Sequence, residues 1–468
     1  MGASNLALRE KVLRGGVYLS AREGIGLGVG VLGVLFVTRL IGPTQYGLYR
    51  GAMEIVAFFA GVARWGLDAY LVRREEAPSR EVYHQVFTLL LLGSAGFMAL
   101  GFGCLPLLGS WLGDARYLAP LKVLLLSLPF TVLSIPAVAR LERDLDYRKV
   151  AALETTGQIL YHGVAVLLAA LGAGLWAPVA GYVTWQLWAT LAGCFMAKYR
   201  PGWHWSAPLA KEMLAFGTGY SSSFWVYNLR SLVNPLVVGH YLGAQQVGFV
   251  SLTIRLIEVL GFVRAATFRL ALAALGRLQQ DTVRLRRALE EAMGLQALAV
   301  GLPLAVFALA APQIIPRLFG NEWAPALSVF PFIATGFLVA AVFGMHTSIL
   351  YVCRRNLQVT LAYAVHVALF AGTALLLVPR LGLRGYGLSE LVAIGSAILL
   401  HQSVARLFPV SYRRVIPWFL AFLPPLFAPL VGWPWTAALA LPAGFSLADR
   451  LARSQVLEAW SLFRRRLS

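Results

Sequence analysis

Long, nearly uninterrupted runs of apolar residues constrain this chain more than any other feature of its sequence. An α-helix needs about 20 consecutive apolar residues to cross the hydrocarbon core of a bilayer. Such runs recur along the whole chain of 468 residues. Charged residues make up only 13% of it and its mean hydropathy is +0.70, whereas an ordinary soluble domain carries about 25% charged residues. A soluble enzyme, a nucleic-acid-binding domain and a disordered protein are therefore poor fits.

The apolar runs predict an all-α polytopic membrane protein with about fourteen spanning helices. The last two predicted spans are short and rich in proline, so twelve spans followed by a re-entrant pair is the alternative. The first run is too long for the apolar region of a signal peptide and no cleavage site follows it, so we expect an uncleaved first helix. The approximate bounds are 15–38, 46–72, 83–105, 118–139, 150–172, 176–197, 214–239, 247–268, 289–315, 325–352, 357–378, 385–405, 415–431 and 433–449.

The distribution of basic residues predicts the orientation of the helices. Of the 40 Lys and Arg residues, 28 fall on the two termini and alternate loops, 6 on the opposite loops and 6 inside the spans. Because cytoplasmic loops of membrane proteins collect Lys and Arg, we expect an even number of spans and both termini in the cytoplasm. The same bias accounts for the net charge of +19 without nucleic acid as a partner.

Two segments separated by 201 residues resemble each other and predict an internal repeat. Val37–Gly47 aligns without gaps on Val238–Gly248 with four identical pairs, and Leu112–Asp114 aligns on Phe319–Asn321. Six helices in each half predict two bundles in a parallel repeat, which leaves a central cavity between them. The alternative is that Leu-Gly turns are simply common at helix ends. The predicted units are 1–205 and 206–410, followed by an extra helix pair over 411–450 and an amphipathic basic tail over 451–468.

Charged side chains inside the predicted spans are the candidates for a functional site, because such residues are costly to insert and mark a transport pathway by default. The guanidinium fork suits phosphate oxygens, so the excess of arginine predicts a positively charged cavity for an anionic cargo. The alternative is that these residues form neutralising pairs or extend to the interface. The candidate substrate-binding residues are Arg22, Arg50, Arg64, Arg230, Arg255 and Arg264, and the candidate ion-coupling residues are Glu23, Glu54, Asp68 and Glu258.

The sequence predicts no catalytic, nucleotide-binding or metal-binding site. The loops are too short for a catalytic domain, and no Walker A sequence occurs. Gly28–Gly33 matches G-x-G-x-x-G, but it lies within an apolar span where no strand-to-helix turn is expected. The histidines are scattered and the three cysteines form no C-x-x-C pair. We therefore expect no cofactor and no enzyme activity; a membrane-bound glycan polymerase or ligase would carry a large outer loop.

Three segments, Arg39–Tyr49, Gly66–Arg73 and Arg140–Arg148, resemble bacterial polysaccharide-transport flippases of the multidrug/oligosaccharidyl-lipid/polysaccharide exporter superfamily. The resemblance implies two six-helix bundles around a V-shaped cavity in the bacterial inner membrane. It implies a cargo of undecaprenyl-diphosphate-linked oligosaccharide, carried to the outer leaflet by alternating access, with polysaccharide polymerase machinery as a partner besides the bilayer. The alternatives are a peptidoglycan-precursor flippase and a multidrug/cation antiporter of the same superfamily, and a positive cavity disfavours the antiporter.

Overall fold

The computed structural model describes residues 2–264, 275–278 and 281–431, together with 438, 439 and 441. The chain is helical or irregular throughout these residues, and they contain no β-strand. The first helices are α1 (Gly2–Ala63), α2 (Leu67–Arg73), α3 (Arg80–Leu112), α4 (Leu118–Leu126), α5 (Leu128–Leu133), α6 (Ile135–Arg143), α7 (Tyr147–Ala170), α8 (Trp176–Met196), α9 (Ala207–Asn228) and α10 (Gly239–Leu242). They are followed by α11 (Ala244–Leu260), α12 (Thr282–Leu318), α13 (Phe330–Val352), α14 (Asn356–Leu381), α15 (Leu383–Ala393), α16 (Ala397–Ala405) and α17 (Ile416–Leu426).

The described residues of each predicted span from 15–38 to 415–431 lie mostly on helical segments, and residues 265–268 of the span 247–268 lie outside the described residues. Among the described residues, six helices are long and apolar enough to cross a bilayer, and a seventh span, Ala115–Arg143, is bent by 40°. The number fourteen stays a prediction. The amphipathic tail at 451–468 lies outside the described residues, as does almost all of the last predicted span, 433–449.

The first two predicted spans form one continuous run, α1, that is broken at Gly42. Gly42 has φ 75° and ψ 170°, a conformation that glycine adopts because it has no Cβ to clash. Pro43 follows, and its ring leaves no N–H for a helical hydrogen bond. The two spans therefore meet at a sharp break with no loop between them.

The same break recurs at the aligned position in the second repeat. Gly243 has φ 84° and ψ 177°, and it separates α10 from α11. A further match follows the ends of α6 and α13, where Leu145 and Arg354 have φ of 56° and 57°. The paired glycine breaks agree with the internal repeat, which stays a prediction.

Gly47 and Gly248 are aligned in the repeat, and because they have no side chains, the backbone segments beside the two helix breaks pack directly against each other. A Cβ on Gly47 would lie against the carbonyl oxygen of Ala244 and 2.8 Å from the amide nitrogen of Gly248. A Cβ on Gly248 would lie against the carbonyl oxygen of Pro43. Pro43 and Ala244 are themselves aligned, so the two contacts are reciprocal, as a pseudo-twofold relation requires. Neither position has room for a side chain unless the backbone moves.

By its contacts the chain divides into two compact units, residues 1–248 and 249–468. Helices α9 and α10 fall in the first unit, because α9 and the segment that follows it contact α1. The predicted boundary between 205 and 206 is placed by the sequence repeat, whereas the boundary at 248/249 is based on contacts. The predicted boundary therefore stays a prediction.

Large apolar side chains lie on the outside of the helices. Phe195, Leu107 and Leu191 are 85%, 70% and 69% exposed. Exposed apolar surface on this scale is rare in water-soluble proteins, whereas such side chains are favourably solvated by the hydrocarbon core of a bilayer. The chain is a multi-pass membrane protein.

Candidate functional site

Arg22, in the first half of α1, lies close to two carboxylates. Arg22 Nη1 donates to Glu23 Oε1 at 2.8 Å, and Arg22 Nε lies 2.7 Å from Glu154 Oε2 on α7. The Arg22 side chain is 23% exposed. The ion pair between Arg22 and Glu154 therefore joins α1 to α7.

A second charged group lies just after the Gly42 break. Arg50 Nη2 donates to Glu54 Oε1 at 3.3 Å, one helical turn away. Asn234 Nδ2 donates to the other carboxylate oxygen, Glu54 Oε2, also at 3.3 Å. Glu54 is only 9% exposed and Asn234 only 1%. The Glu54 carboxylate is therefore buried and held from two sides.

Asn234 belongs to an irregular stretch that follows α9. The chain passes through a 3₁₀ segment at Leu229–Leu232 and a π-helical segment at Asn234–Val238 before α10 begins. Arg230 lies in the 3₁₀ segment, where its Nη1 donates to the Tyr227 hydroxyl at 2.6 Å and its guanidinium lies 5.2 Å from that ring's centroid. Discontinuous helices of this kind form substrate and ion sites in transporters, because their backbone groups are not all used within the helix.

The remaining candidates form local contacts. Arg64 Nη1 and Asp68 Oδ2 are 4.0 Å apart, and both side chains are more than 40% exposed. In the second unit, Arg255 Nη1 and Glu258 Oε2 are 3.7 Å apart, again with exposed side chains. The Arg264 guanidinium lies 4.8 Å from the centroid of the Phe337 ring.

The predicted arginines do not form a single uncompensated cluster. Four of the six lie within 4.0 Å of a carboxylate, and pairing of this kind lowers the cost of placing charge inside a membrane. A carboxylate and a phosphate both offer guanidinium two oxygens in suitable geometry. Such a pair can therefore exchange its carboxylate for a phosphate-bearing ligand.

The polysaccharide biosynthesis protein family matches residues 36–328, which is more than half of the sequence. The chain belongs to this family. It is 29% identical over 318 residues to the succinoglycan biosynthesis transport protein ExoT of Rhizobium meliloti (strain 1021), covering 65% of this chain and 63% of that protein. It is 24% identical over 345 residues to the lipopolysaccharide biosynthesis protein WzxC of Escherichia coli (strain K12), covering 72% and 69%. The chain thus spans just under two thirds of the length of the succinoglycan protein.

Two solved structures share the fold of this family member. The lipid II flippase MurJ, in an inward closed conformation, matches with a TM-score of 0.68 and 11% identity over 97% of this chain and 99% of its own. An inward-facing multidrug resistance MATE family transporter of the MOP superfamily matches with a TM-score of 0.65 and 17% identity, covering 82% and 98%. These comparisons confirm the family resemblance that the sequence indicated.

Proposed function

We propose that this protein is a flippase that carries undecaprenyl-diphosphate-linked oligosaccharide from the cytoplasmic to the outer leaflet by alternating access. The observation that carries the proposal is the set of arginines within the predicted spans of a polysaccharide biosynthesis family member. The relatives named for succinoglycan transport and lipopolysaccharide biosynthesis support it. The protein would act in the bacterial inner membrane, with both termini in the cytoplasm and the polysaccharide polymerase machinery as a partner.

The arginines would bind the diphosphate and any acidic sugars while the lipid tail stays in the bilayer. Arg230 is the foremost candidate, because it lies on the irregular stretch after α9, where its guanidinium contacts the Tyr227 hydroxyl and ring. Arg22, Arg50, Arg64 and Arg255 would exchange their carboxylates for phosphate oxygens, and Arg264 would leave the Phe337 ring. Binding would lower the cost of moving a charged headgroup through about 30 Å of hydrocarbon.

Ion coupling would use the carboxylates that the arginines release. Glu54 is the strongest of these, because it is buried and its two oxygens bind different elements, Arg50 on α1 and Asn234 after α9. Glu23, Asp68 and Glu258 would play the same role from more exposed positions. A change in the charge of Glu54 would alter the contact between these two elements, which is what coupling requires.

A peptidoglycan-precursor flippase is the second candidate, and the shared fold with the lipid II flippase MurJ favours it. Both cargoes carry a polyprenyl diphosphate, so the same arginines would serve either of them. A multidrug/cation antiporter would share the fold of the MATE family transporter. Arginine-rich helices repel cations, which makes it the weakest of the three.

A reconstitution experiment separates these cargoes. The full chain is placed in vesicles containing undecaprenyl-diphosphate-linked oligosaccharide, lipid II or a fluorescent organic cation. A membrane-impermeant oxidant for sugars then reports how much lipid-linked glycan reaches the outer leaflet. We expect oxidation of the oligosaccharide to rise from about half, the outer-leaflet share of a symmetric vesicle, to near completion, with slower movement of lipid II. Oxidation that stays at the protein-free level while lipid II or the cation moves would refute the proposal.

A further inference from the structure

A basic cavity lies in the first unit, away from the intramembrane arginines. It has a volume of about 480 Å³ and lies between the start of α3, the end of α6 and the segment after α8. The loops that meet there are all predicted to face the cytoplasm. Its lining includes Arg80, His84, Arg140, Arg143, Lys198 and Arg200, with Asp144 as its one carboxylate.

Arg143 lines this basic cavity, and its guanidinium binds the backbone of a neighbouring loop. Its guanidinium donates to the carbonyl oxygens of Leu71 at 3.1 Å and of Arg74 and Glu76 at 2.6 Å each. These hydrogen bonds fix the loop between α2 and α3. They also occupy the Arg143 guanidinium, so the binding capacity of the cavity rests on its other four cations.

Those four cations have no neutralising carboxylate beside them in the described part of the chain. Within the part of the chain that the structure describes, no carboxylate lies within 4.0 Å of Arg80, Arg140, Lys198 or Arg200. The Arg140 Nη1 makes one long hydrogen bond, of 3.4 Å, to the Lys198 carbonyl oxygen. Like charges gathered around an empty volume repel one another, and an anion would relieve that repulsion.

The segment that carries Lys198 and Arg200 is pinned to α3. The backbone N–H groups of His204 and Ser206 donate to the side chains of Thr88 and Gln85, at 3.2 and 2.7 Å. Gly202 sits so close to His84 that a Cβ there would lie 2.5 Å from the ring. A binding group on a rigid backbone loses little entropy when it takes up a ligand.

Lys198 occupies a backbone position that normally favours glycine. It has φ 48°, and the turn after α8 closes with Tyr199 N–H donating to the Cys194 carbonyl oxygen at 2.9 Å. A left-handed conformation is strained for a residue with a Cβ. A glycine at position 198 would relieve this strain while it removes the cation, so this position suits a test by substitution.

Two exposed tryptophans show at what depth the basic cavity lies. Trp203 and Trp205, just beyond Arg200, are 63% and 53% exposed. Tryptophan collects at the boundary between hydrocarbon and headgroups, so the basic cavity lies at headgroup level. The first turn of α3, capped by Ser79, adds the partial positive charge of a helix N-terminus.

We propose that the basic cavity binds the phosphate of an anionic membrane phospholipid, as a site separate from the cargo path. Four cations at headgroup depth fit a phosphodiester, and the cytoplasmic leaflet supplies it. The same chemistry would accept the diphosphate of a polyprenyl lipid, and the experiment below distinguishes the two sources. The proposal does not depend on which cargo the protein moves.

Native mass spectrometry of the full chain tests this site, with phosphatidylglycerol and phosphatidylcholine added in turn. Lys198→Gly is the key variant, because it removes the cation and relieves the backbone strain, so the fold should survive. Arg354→Gly is the matched control: Arg354 has φ 57° at the equivalent kind of turn in the second unit. We expect Lys198→Gly and Arg200→Gln each to weaken phosphatidylglycerol binding about fivefold, while Arg354→Gly binds like wild type.

Three results would overturn the proposal. Equal binding of both phospholipids by the wild type would mean that the net negative charge of the headgroup does not govern binding, since both lipids carry a phosphodiester. Equal loss in Lys198→Gly and Arg354→Gly would mean that a general charge effect is measured instead of a site. Displacement of phosphatidylglycerol by undecaprenyl diphosphate at equimolar concentration, lost in Lys198→Gly, would assign the basic cavity to the polyprenyl lipid.

Discussion

The contact between the two repeat breaks allows a sharp test of the fold through Gly47→Ala. The new Cβ would lie 2.8 Å from the Gly248 amide nitrogen and closer still to the Ala244 carbonyl oxygen. Ordinary contacts lie at about 3.5–4.0 Å, so the two backbones would have to part by roughly 1 Å. Backbone atoms cannot rotate away as a side chain does. We expect a loss of about 1–3 kcal/mol in the free energy of unfolding, as for other overpacked positions.

Gly103→Ala provides the matched control. Gly103 lies inside α3, and a Cβ there would have no neighbour within 4 Å. The same substitution should therefore stabilise the protein by about 0.5–1 kcal/mol, because alanine favours a helix over glycine. The two variants differ only in what surrounds the added methyl group.

The assay is thermal unfolding of the purified protein in detergent, with Gly47→Ala, Gly103→Ala and wild type measured in parallel. We expect the unfolding temperature of Gly47→Ala to fall and that of Gly103→Ala to rise or stay unchanged. Equal unfolding temperatures for both variants would refute the close backbone contact at Gly47, and with it the reciprocal packing of the repeats.

Three further outcomes follow from individual contacts. Glu54→Gln removes the buried charge beside Arg50 and should slow glycan translocation about tenfold in vesicles, a loss of about 1.4 kcal/mol, whereas the exposed Glu322→Gln should match wild type. Arg143→Ala removes the hydrogen bonds to the α2–α3 loop and should lower the free energy of unfolding by about 2 kcal/mol, measured by thermal unfolding; an unchanged unfolding temperature would contradict this. The hydrogen bond from Arg116 lowers the pKa of Asp114, so this carboxylate stabilises the folded state above about pH 4, and that contribution is lost as the pH falls through the lowered pKa. Asp114→Asn should therefore flatten the acid side of a plot of unfolding temperature against pH. An unchanged plot would exclude this contact as the cause of the acid dependence.

Much of the fold could be predicted because apolar length and repeated glycines act locally. The runs that mark the spans need only a count of apolar residues, and the alignment pairs Gly42 with Gly243, the two positions at which the structure breaks a helix. The direct contact between Gly47 and Gly248 was not predictable, because it depends on how distant helices pack. The same holds for the contact-based boundary at 248/249.

In the candidate site, too, contacts between residues close in sequence could be predicted, whereas contacts between distant residues could not. Pairs three or four residues apart, such as Arg50 with Glu54, follow from helical periodicity. The pairing of Arg22 with Glu154 joins residues far apart in sequence, as does the hydrogen bond from Asn234 to Glu54. The basic cavity is formed by three loops. The sequence predicted only that each of them faces the cytoplasm, because the number of basic residues in a loop does not tell which loops lie next to one another.

The central claim is that intramembrane guanidinium groups carry an anionic headgroup, and Arg230→Gln tests it most directly. Arg230 lies on the irregular stretch after α9, where its guanidinium donates to the Tyr227 hydroxyl. Arg116→Gln, on an exposed loop, is the control. In vesicles with undecaprenyl-diphosphate-linked oligosaccharide, translocation by Arg230→Gln should fall about tenfold or more, while Arg116→Gln keeps the wild-type rate. A folded Arg230→Gln protein that translocates the glycan at the wild-type rate, and still does so with Arg22→Gln and Arg255→Gln added, would contradict the claim.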